Sequence, residues 1–326
     1  MLPFGFWQWS LYLQGTFRYG LIPLSASNEN YRGRFAPSPT GPLHFGSLVA
    51  AVASYLAAKS HDGEWLVRME DLDTPRAAPG AADAILRALE ACGMHWDGAI
   101  MRQSVRVDAY CAALDQLRGR GLVYPCACSR REIADSAFSG IDGPVYPGTC
   151  RNGLAPGKTP RAWRIDTRGA RVRFDDAIQG TIEQDVETAS GDFVLLRADQ
   201  VHAYQLAVVV DDAAQGITDV VRGADLLDST PRQIYLQRLL DLPTPRYCHV
   251  PVVVDASGEK LSKQTLAAPV DAARPLAALL AALRFLGQRP PDALERAGVT
   301  EFWEWAMAHW RLSDVPPRRT AAPQRA

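Results

Sequence analysis

The feature that most constrains the fold of this chain is a pair of short segments far apart in the sequence, RFAPSPTGPLHFGS at residues 34–47 and EKLSK at residues 259–263. The first is a loop broken by proline and glycine, and it leads into an apolar stretch at 48–58 that predicts a buried helix. Such a loop presents unpaired backbone N–H groups and the positive end of the helix dipole, which together favour a phosphate group. The two segments therefore predict the two sides of an ATP site.

Individual side chains within these segments suit a polyphosphate. His44 can donate a hydrogen bond to a phosphate oxygen, and Gly46 has no side chain that would keep the backbone away from a ligand. Lys260 and Lys263 follow the strand-like run 250–255, where two ammonium groups can clamp a polyphosphate. Each segment alone has an ordinary alternative, since proline–glycine loops are commonly turns and serine–lysine loops are commonly solvated.

The order of the first elements predicts the fold class. Apolar periodicity indicates strands at 31–35 and 64–69, and helices at 46–60, 81–92 and 105–118. Alternating strands and helices of this kind form a doubly wound α/β fold, in which crossover helices connect a parallel sheet. Ligands bind to such sheets beyond the carboxyl ends of the strands. His44 and the acidic pair Glu70 and Asp71 fall at two such ends.

The middle and the end of the chain predict further units. Cysteine, proline and glycine crowd into residues 124–186, followed by short alternating runs, which indicates a small β-rich insertion. The sheet is expected to resume with strands at 193–197, 203–210 and 219–222, followed by a helix at 230–240. We therefore expect a catalytic domain at 31–123 and 187–266, the insertion at 124–186, C-terminal helices within 267–314, an unstructured extension at 1–30 and a disordered tail at 315–326.

Composition limits the classes of partner. Apolar residues make up 47% and charged residues 22% of the chain, which is typical of a globular protein, and the formal net charge is −1. This balance gives no overall field toward nucleic acid, so DNA is not an expected partner and RNA contact requires a local patch. Residues 151–173 hold seven basic residues against one acid, which favours either such a patch or a solvated hairpin.

Cysteine usage and hydropathy bear on the compartment. The chain contains six cysteines without an obvious disulfide framework, and its aromatic first thirty residues lack the basic and cleavage features of a secretory signal. No stretch reaches the ~18 apolar residues that span a bilayer, so no membrane partner is expected. These features predict a protein of the reducing cytoplasm.

Three cysteines within the insertion suggest a metal site. Cys126, Cys128 and Cys150 lie close together in the sequence with Tyr146, and no histidine occurs near them. Zinc prefers four tetrahedral ligands, commonly thiolate or imidazole. The residues alone leave two interpretations open, a zinc site or three ordinary reduced cysteines.

Several segments in a fixed order resemble one known family. HFGS at 44–47 and KLSKQ at 260–264 resemble the HIGH and KMSKS motifs of class I aminoacyl-tRNA synthetases. Together with RFAPSPTG, RMEDLD, HAYQLA and VRGAD, which begin at residues 34, 68, 202 and 221, they make residues 31–266 similar to the catalytic domain of glutamyl-tRNA synthetases. The C-x-C and Y-x₃-C spacing of the insertion resembles that of their short relatives, the glutamyl-Q tRNA(Asp) synthetases.

This resemblance implies a fold, a reaction and two metals. The implied fold is the class I synthetase Rossmann-like doubly wound parallel sheet, with a small zinc-bearing insertion and a short C-terminal helical segment. The implied reaction activates L-glutamate with ATP and Mg²⁺ to glutamyl-adenylate, then transfers glutamate to the queuosine base in the anticodon loop of tRNA(Asp). One structural Zn²⁺ is implied, with Cys126, Cys128, Tyr146 and Cys150 as ligands.

The resemblance also implies roles for single residues. His44 and Lys263, assisted by Lys260, are implied as the catalytic residues that stabilise charge developing on the phosphate. The implied glutamate-binding residues are Arg34, Phe35, Ala36, Pro37, Ser38, Glu70, Tyr204 and Arg222, with Arg34 pairing a carboxylate bidentately. The implied ATP-binding residues are His44, Gly46, Ser47, Lys260, Ser262 and Lys263.

Two other functions stay open on the sequence. A truncated glutamyl-tRNA synthetase would charge the 3′ end of a tRNA, and a non-catalytic tRNA-binding module would have no use for both halves of an ATP clamp. Full-length glutamyl-tRNA synthetases carry anticodon-binding domains after the second motif, whereas 63 residues follow Lys263 here. We therefore expect the short, tRNA-modifying family and a monomeric protein.

Overall fold

The computed structural model describes residues 31–73, 76–136, 139–141, 143–255, 258–259 and 269–323. The predicted extension at 1–30 and the predicted ATP-binding residues Lys260, Ser262 and Lys263 lie outside the described residues. The strands are β1 (Arg32–Phe35), β2 (Glu64–Met69), β3 (Met101–Arg102), β4 (Val123–Cys126), β5 (Ser139–Gly140), β6 (Gly143–Pro144), β7 (Ala162–Ile165), β8 (Arg171–Asp176), β9 (Gly180–Asp185), β10 (Val194–Leu196), β11 (Asp219–Gly223), β12 (Arg246–Val250), β13 (Val252–Val253) and β14 (Thr320–Ala321). The helices are α1 (Phe45–Lys59), α2 (Ala81–Ala91), α3 (Val107–Gly119), α4 (Arg130–Ser136), α5 (Val186–Ala189), α6 (Tyr204–Ala214), α7 (Thr230–Leu239), α8 (Pro275–Phe285) and α9 (Val299–His309).

A parallel sheet forms the centre of the molecule. β2 pairs in parallel with both β1 and β3, and β11 pairs in parallel with β12. β1 lies beside β11, where the backbone N–H of Thr218 donates to the Arg32 carbonyl at 3.0 Å. The resulting order β3–β2–β1–β11–β12 reverses its direction of growth between β1 and β11, which makes this junction a topological switch point. The predicted doubly wound α/β fold is confirmed.

Helix α1 is buried on nearly every side and fixes the loop that precedes it. Its side chains from Leu48 to Ala58 are almost all buried, as expected for a helix that is apolar all round. Tyr55 packs edge-on against Trp303 of α9, with 4.7 Å between ring centroids, and the Trp303 indole N–H donates to the Cys92 carbonyl at 2.8 Å. The N-terminus of α1 is therefore held rigidly at the carboxyl edge of the sheet.

A second, antiparallel sheet contains β10, β7 and β4 in that order. β7 pairs with β4 and β10 on its two sides, and the β8–β9 hairpin reaches the parallel sheet where Asp176 pairs with Tyr247 of β12. The boundaries predicted for an insertion at 124–186 stay a prediction, because β8 lies inside them and pairs with β12, while β10 lies outside them and pairs with β7.

The prediction of a strand at 203–210 is wrong. This segment forms helix α6, in which Leu206, Ala207, Val208 and Val209 are all buried. A short, fully apolar run has no periodicity that separates a buried strand from a buried helix. The correction matters because α6 also carries the buried carboxylates Asp211 and Asp212.

The disordered tail predicted at 315–326 is also wrong for residues 315–323. Val315 is buried, and β14 pairs in parallel with β13. Gly287 explains the close approach of this segment to the end of α8, since its φ is 77° and a Cβ there would overlap the Asp314 carbonyl oxygen. Residues 324–326 lie outside the described part of the chain.

None of the helices that the structure describes combines the length and the apolar character needed to cross a lipid bilayer.

Candidate active site

A cavity of about 650 Å³ opens at the switch point, beyond the carboxyl ends of four parallel strands. Its walls come from the end of β1 and the following loop into α1, from the residue after β2, from the first residue of α6, from the end of β11 and from the end of β12. This is the position at which doubly wound sheets bind ligands.

All eight residues predicted to bind glutamate line this cavity: Arg34, Phe35, Ala36, Pro37, Ser38, Glu70, Tyr204 and Arg222. His44, Gly46 and Ser47, predicted to bind ATP, line the same cavity. Lys260, Ser262 and Lys263 lie outside the described residues. The structure thus brings together two groups of residues that are nearly 200 positions apart in the sequence, while their roles stay predictions.

His44 occupies the N-cap of α1 and faces the cavity. Its Nδ1 accepts the backbone N–H of Ser47 at 3.3 Å, and its Nε2 lies 2.9 Å from the Ser47 hydroxyl. An acceptor Nδ1 places the proton of the neutral ring on Nε2, so this N–H is the one that can donate to a phosphate oxygen. The first turn of α1 adds its own N–H groups to the same end.

The chain returns to this loop after the lysine-bearing segment. Pro269 forms a β-bridge with His44, and the backbone N–H of Val270 donates to the Leu43 carbonyl at 2.9 Å. Lys263 precedes Pro269 by six residues in the sequence. Residues 269 and 270 therefore lie beside the loop that carries His44.

A buried carboxylate that sequence reasoning missed organises the wall beside β1 and β2. Asp212 of α6 accepts from Arg34 at 3.1 Å and from Arg68 at 2.7 Å, and all three side chains are buried. Burial opposes the ionisation of Asp212, but the two guanidinium charges outweigh it and lower its pKa. Arg34 contacts Asp212 through Nε and Nη2, whereas the bidentate pairing predicted for Arg34 was with a carboxylate of glutamate and stays a prediction.

Glu70 supplies a negative charge to the same wall. Its Oε1 accepts from Arg68 Nη2 at 3.3 Å. Burial raises the pKa of Glu70, and the nearby charges of Arg68 and Arg34 offset part of that rise. A cationic group in the cavity would meet this carboxylate and lower its pKa further.

Arg222 provides a second positive charge to the cavity, near the end of β11. Its Nη1 lies 3.4 Å from the hydroxyl of Tyr204, and its Nη2 donates to Thr230 and Gln233 at 2.8 Å each. Its Nε donates to His249 Nε2 at 3.0 Å. Arg222 is 5% exposed as a residue, and these partners fix the orientation of its guanidinium group.

Two further residues of the VRGAD segment shape this wall. Asp225 lines the cavity, and Gly223 lies against it, since a Cβ at Gly223 would overlap a carboxylate oxygen of Asp225. The VRGAD motif is recognisable in the sequence and therefore points to this wall. Asp212 is not part of such a motif, and it follows an apolar run whose composition predicts a strand.

The three cysteines of the insertion converge on one point with Tyr146. The Sγ atoms of Cys126, Cys128 and Cys150 lie within 4.8 Å of one another, and Cys128 and Cys150 are 3.7 Å apart. The phenolic oxygen of Tyr146 lies 3.4 Å and 3.6 Å from Cys126 and Cys128. A zinc tetrahedron with bonds of ~2.3 Å to sulfur and ~2.1 Å to oxygen has edges of about 3.8 Å and 3.6 Å. The donor set therefore has the dimensions of a metal site.

The basic run at 151–173 is largely paired with acids. Arg151 pairs with Asp192 at 2.5 Å, and Arg164 lies 4.0 Å above the ring of Tyr146. Further ion pairs join Arg151 to Glu187, Lys158 to Glu132, Arg168 to Asp166 and Arg171 to Asp185. The run therefore offers less free positive charge than its sequence indicates.

Comparisons with known proteins place this site within a family. A family model described as "tRNA synthetases class I (E and Q), catalytic domain" matches residues 30–300. The chain is 62% identical over 286 residues to a protein of Aromatoleum aromaticum named Glutamyl-Q tRNA(Asp) synthetase, covering 88% of this chain and 90% of that protein. It is 60% identical to the protein of the same name from Dechloromonas aromatica, covering 89% and 97%.

A solved structure shares the architecture. The crystal structure of glutamate-tRNA synthetase from Elizabethkingia anophelis superposes with a TM-score of 0.74 at 27% sequence identity. The match covers 91% of this chain and 68% of that one.

Replacing Asp212→Asn should destabilise the protein by about 3 kcal/mol at pH 7, because Arg34 and Arg68 would stay buried without their counter-charge. The pKa of Asp212 is lowered on folding, so its stabilisation is present above the unfolded-state pKa of ~3.9 and is lost as pH falls through the folded-state pKa. The difference between wild type and variant in urea unfolding should therefore shrink below pH ~4.

Asp115→Asn is the matched control for this measurement. It removes the same charge from an exposed ion pair with Arg118, which lies one helical turn away. The free energy of unfolding should fall by about 0.5 kcal/mol or less. Equal effects of the two substitutions at pH 7 would contradict the role given to Asp212.

Proposed function

Because the chain belongs to the family of glutamyl-Q tRNA(Asp) synthetases within the class I synthetases for Glu and Gln, we propose that it activates glutamate with ATP and transfers it to the queuosine base of tRNA(Asp). One observation carries the proposal. A single cavity joins a wall of fixed charges that suits an amino acid to a helix N-terminus that suits a phosphate.

The charges of the cavity complement those of glutamate. Glutamate presents two carboxylates and one ammonium group, and the cavity presents the guanidinium groups of Arg34 and Arg222 with the carboxylate of Glu70. Asp212 occupies Nε and Nη2 of Arg34, so a substrate carboxylate would bind Nη1. Glu70 would bind the ammonium group of glutamate. Tyr204 and Arg222 would together bind its other carboxylate.

Adenylate formation needs alignment more than covalent help. A glutamate carboxylate is ionised at pH 7, so its oxygen can attack the α-phosphorus of ATP while the bond to pyrophosphate breaks. In the proposal His44, Gly46 and Ser47 hold the phosphates at the start of α1, and Lys260, Ser262 and Lys263 close on them from the second motif. Mg²⁺ accompanies ATP as part of the substrate and neutralises its outer phosphates.

Transfer completes the reaction. A nucleophile on the queuosine base attacks the acyl carbon of the adenylate, AMP leaves, and glutamate becomes attached to the base. Nothing in the cavity itself identifies this acceptor, which comes from the family. A monomeric state and a cytoplasmic location also stay predictions.

The cysteine cluster fits one structural zinc ion. Its tetrahedral spacing and its three thiols suit Zn²⁺, with Tyr146 as the fourth ligand. Bound zinc would join the turn after β4 to the loop that carries Tyr146 and Cys150, and so contribute folding energy to the insertion.

A second function has a specific observation in its favour. The solved structure that superposes with a TM-score of 0.74 is that of a glutamate-tRNA synthetase. The same cavity could then serve a protein that charges the 3′ end of a tRNA. The site of attachment separates the two functions.

Transfer of labelled glutamate to tRNA(Asp) tests the proposed function directly. Label should enter tRNA(Asp) that contains queuosine and should not enter otherwise identical tRNA(Asp) that lacks it. Nuclease mapping should place the label on the anticodon fragment. Label on the 3′-terminal adenosine would instead support the second function, and no label on either tRNA would reject both.

Lys263→Ala and His44→Ala should each slow glutamate-dependent pyrophosphate exchange by roughly ten- to a thousand-fold, since each removes a donor to the charge that develops on the phosphate. Lys158→Ala removes an exposed lysine paired with Glu132 and serves as the control, with exchange close to that of wild type. Near-normal exchange in both active-site variants would refute the assigned roles.

Purified protein should contain about one zinc ion per chain, the occupancy of a single tetrahedral site. Cys128→Ser should lose most of this metal and unfold at a lower temperature, whereas Cys111→Ser, which changes an exposed cysteine outside the cluster, should keep it. Elemental analysis and thermal unfolding with and without a chelator measure both effects. A wild-type protein that contains no metal and unfolds at the same temperature with and without the chelator would rule out the site.

A further inference from the structure

A buried chain of three polar side chains lies behind the cavity wall. Asp176 ends β8, His249 belongs to β12 and Arg222 belongs to β11, so the chain crosses three neighbouring strands. The carboxylate of Asp176 lies 2.6 Å from His249 Nδ1, and His249 Nε2 accepts from Arg222 Nε at 3.0 Å. His249 has no exposed surface, and the other two are at most 5% exposed.

The hydrogen bonds around Asp176 fix its orientation. Its Oδ1 accepts backbone N–H groups from Ile178, Gln179 and His249 at 3.0, 2.9 and 3.2 Å. Burial opposes its ionisation, but these bonds and the contact with His249 lower its pKa, so it is a carboxylate. Its Oδ2 is therefore held as an acceptor facing Nδ1.

The protonation state of His249 follows from its surroundings. Burial lowers its pKa to about 4, so the ring is neutral at pH 7. Because Nδ1 faces a carboxylate, which only accepts, the proton of the neutral ring lies on Nδ1. Nε2 is then an acceptor, as the Arg222 N–H requires.

The Nε2 acceptor of His249 is one of the hydrogen-bond partners that hold the guanidinium group of Arg222. Nη2 is held by Thr230 and Gln233, and Nε is held by His249, so two of the three guanidinium nitrogens are bound away from the cavity. The third, Nη1, points to the Tyr204 hydroxyl on the cavity wall. The plane of the guanidinium is thereby fixed before a ligand enters.

We propose that Asp176 and His249 are positioning residues of the substrate site: Asp176 sets the tautomer of His249, and His249 fixes the guanidinium of Arg222 for a carboxylate in the cavity. The inference rests on the proposed function, in which that carboxylate belongs to glutamate. Neither residue touches the cavity, so both act through Arg222.

Asp176→Asn tests the tautomer. The three backbone N–H groups would keep the amide oxygen, so the amide NH₂ would face Nδ1 and move the ring proton to Nε2. The Nε2–H of His249 and the Nε–H of Arg222 would then face each other as two donors, and the hydrogen bond between the two side chains would be lost. Nitrogen-15 NMR of the ring should show the change from Nδ1–H to Nε2–H, and calorimetry should show glutamate binding weakened about ten- to a hundred-fold, with ATP binding unchanged.

Asp175→Asn is the matched control. It removes the same charge one residue earlier in β8, where the side chain is exposed and accepts from Thr181. The His249 tautomer and glutamate binding should both stay as in wild type. An Asp176→Asn protein that shows the new tautomer and binds glutamate normally would overturn the proposal.

A second pair of variants keeps the test decisive if Asp176→Asn fails to fold. In His249→Gln the amide oxygen can take the place of Nε2 and accept from Arg222, whereas in His249→Asn the shorter side chain reaches only the Asp176 side. Glutamate should bind the Gln variant at least tenfold more tightly than the Asn variant. Equal binding would overturn the proposal.

These readouts separate the inference from the proposed function. The tautomer and the binding constant are measured on the unreacted protein, without pyrophosphate exchange or tRNA. A wild type that binds glutamate through the fixed arginine but transfers it to no tRNA would reject the proposed acceptor and keep the inference. A wild type that shows Nε2–H would reject the inference and leave the proposed function standing.

Discussion

The charge pattern of the cavity depends on one buried carboxylate. Asp212 lies between Arg34 at the end of β1 and Arg68 at the end of β2, and Arg68 in turn holds Glu70. Without it, two guanidinium groups would be buried side by side at the switch point, where their repulsion and desolvation would cost several kcal/mol. The side chain that makes this wall possible comes from α6, the helix that precedes β11 in the chain.

The second arginine of the cavity is also held by buried partners, but these partners are neutral. Arg222 is also buried, but its partners are the neutral His249, Thr230 and Gln233 rather than a carboxylate. Its positive charge is therefore oriented without being neutralised by direct contact. On the Arg34 wall the charge is shared with Asp212, so Arg222 is the stronger attractor for an anion in the cavity.

Sequence reasoning found the parts of the site that lie on loops next to strand ends. The bounds of β2 match the predicted strand, and every predicted glutamate-binding residue lines the cavity, because these positions are carried by short segments with fixed local chemistry. Asp212, Asp176 and His249 were missed because their partners are distant in sequence; Asp176 and His249 are 73 positions apart. The roles of Lys260 and Lys263 stay predictions, since both lie outside the described residues.

In the proposed function, the charges of the cavity favour glutamate as the amino acid and do not identify the acceptor. A glutamine side chain would offer Arg222 one neutral acceptor oxygen, whereas the carboxylate of glutamate offers two oxygens and a negative charge, so a charge-assisted hydrogen bond to this guanidinium favours glutamate. Under this proposal, the features that distinguish queuosine from a terminal adenosine would lie on the surface that receives the tRNA.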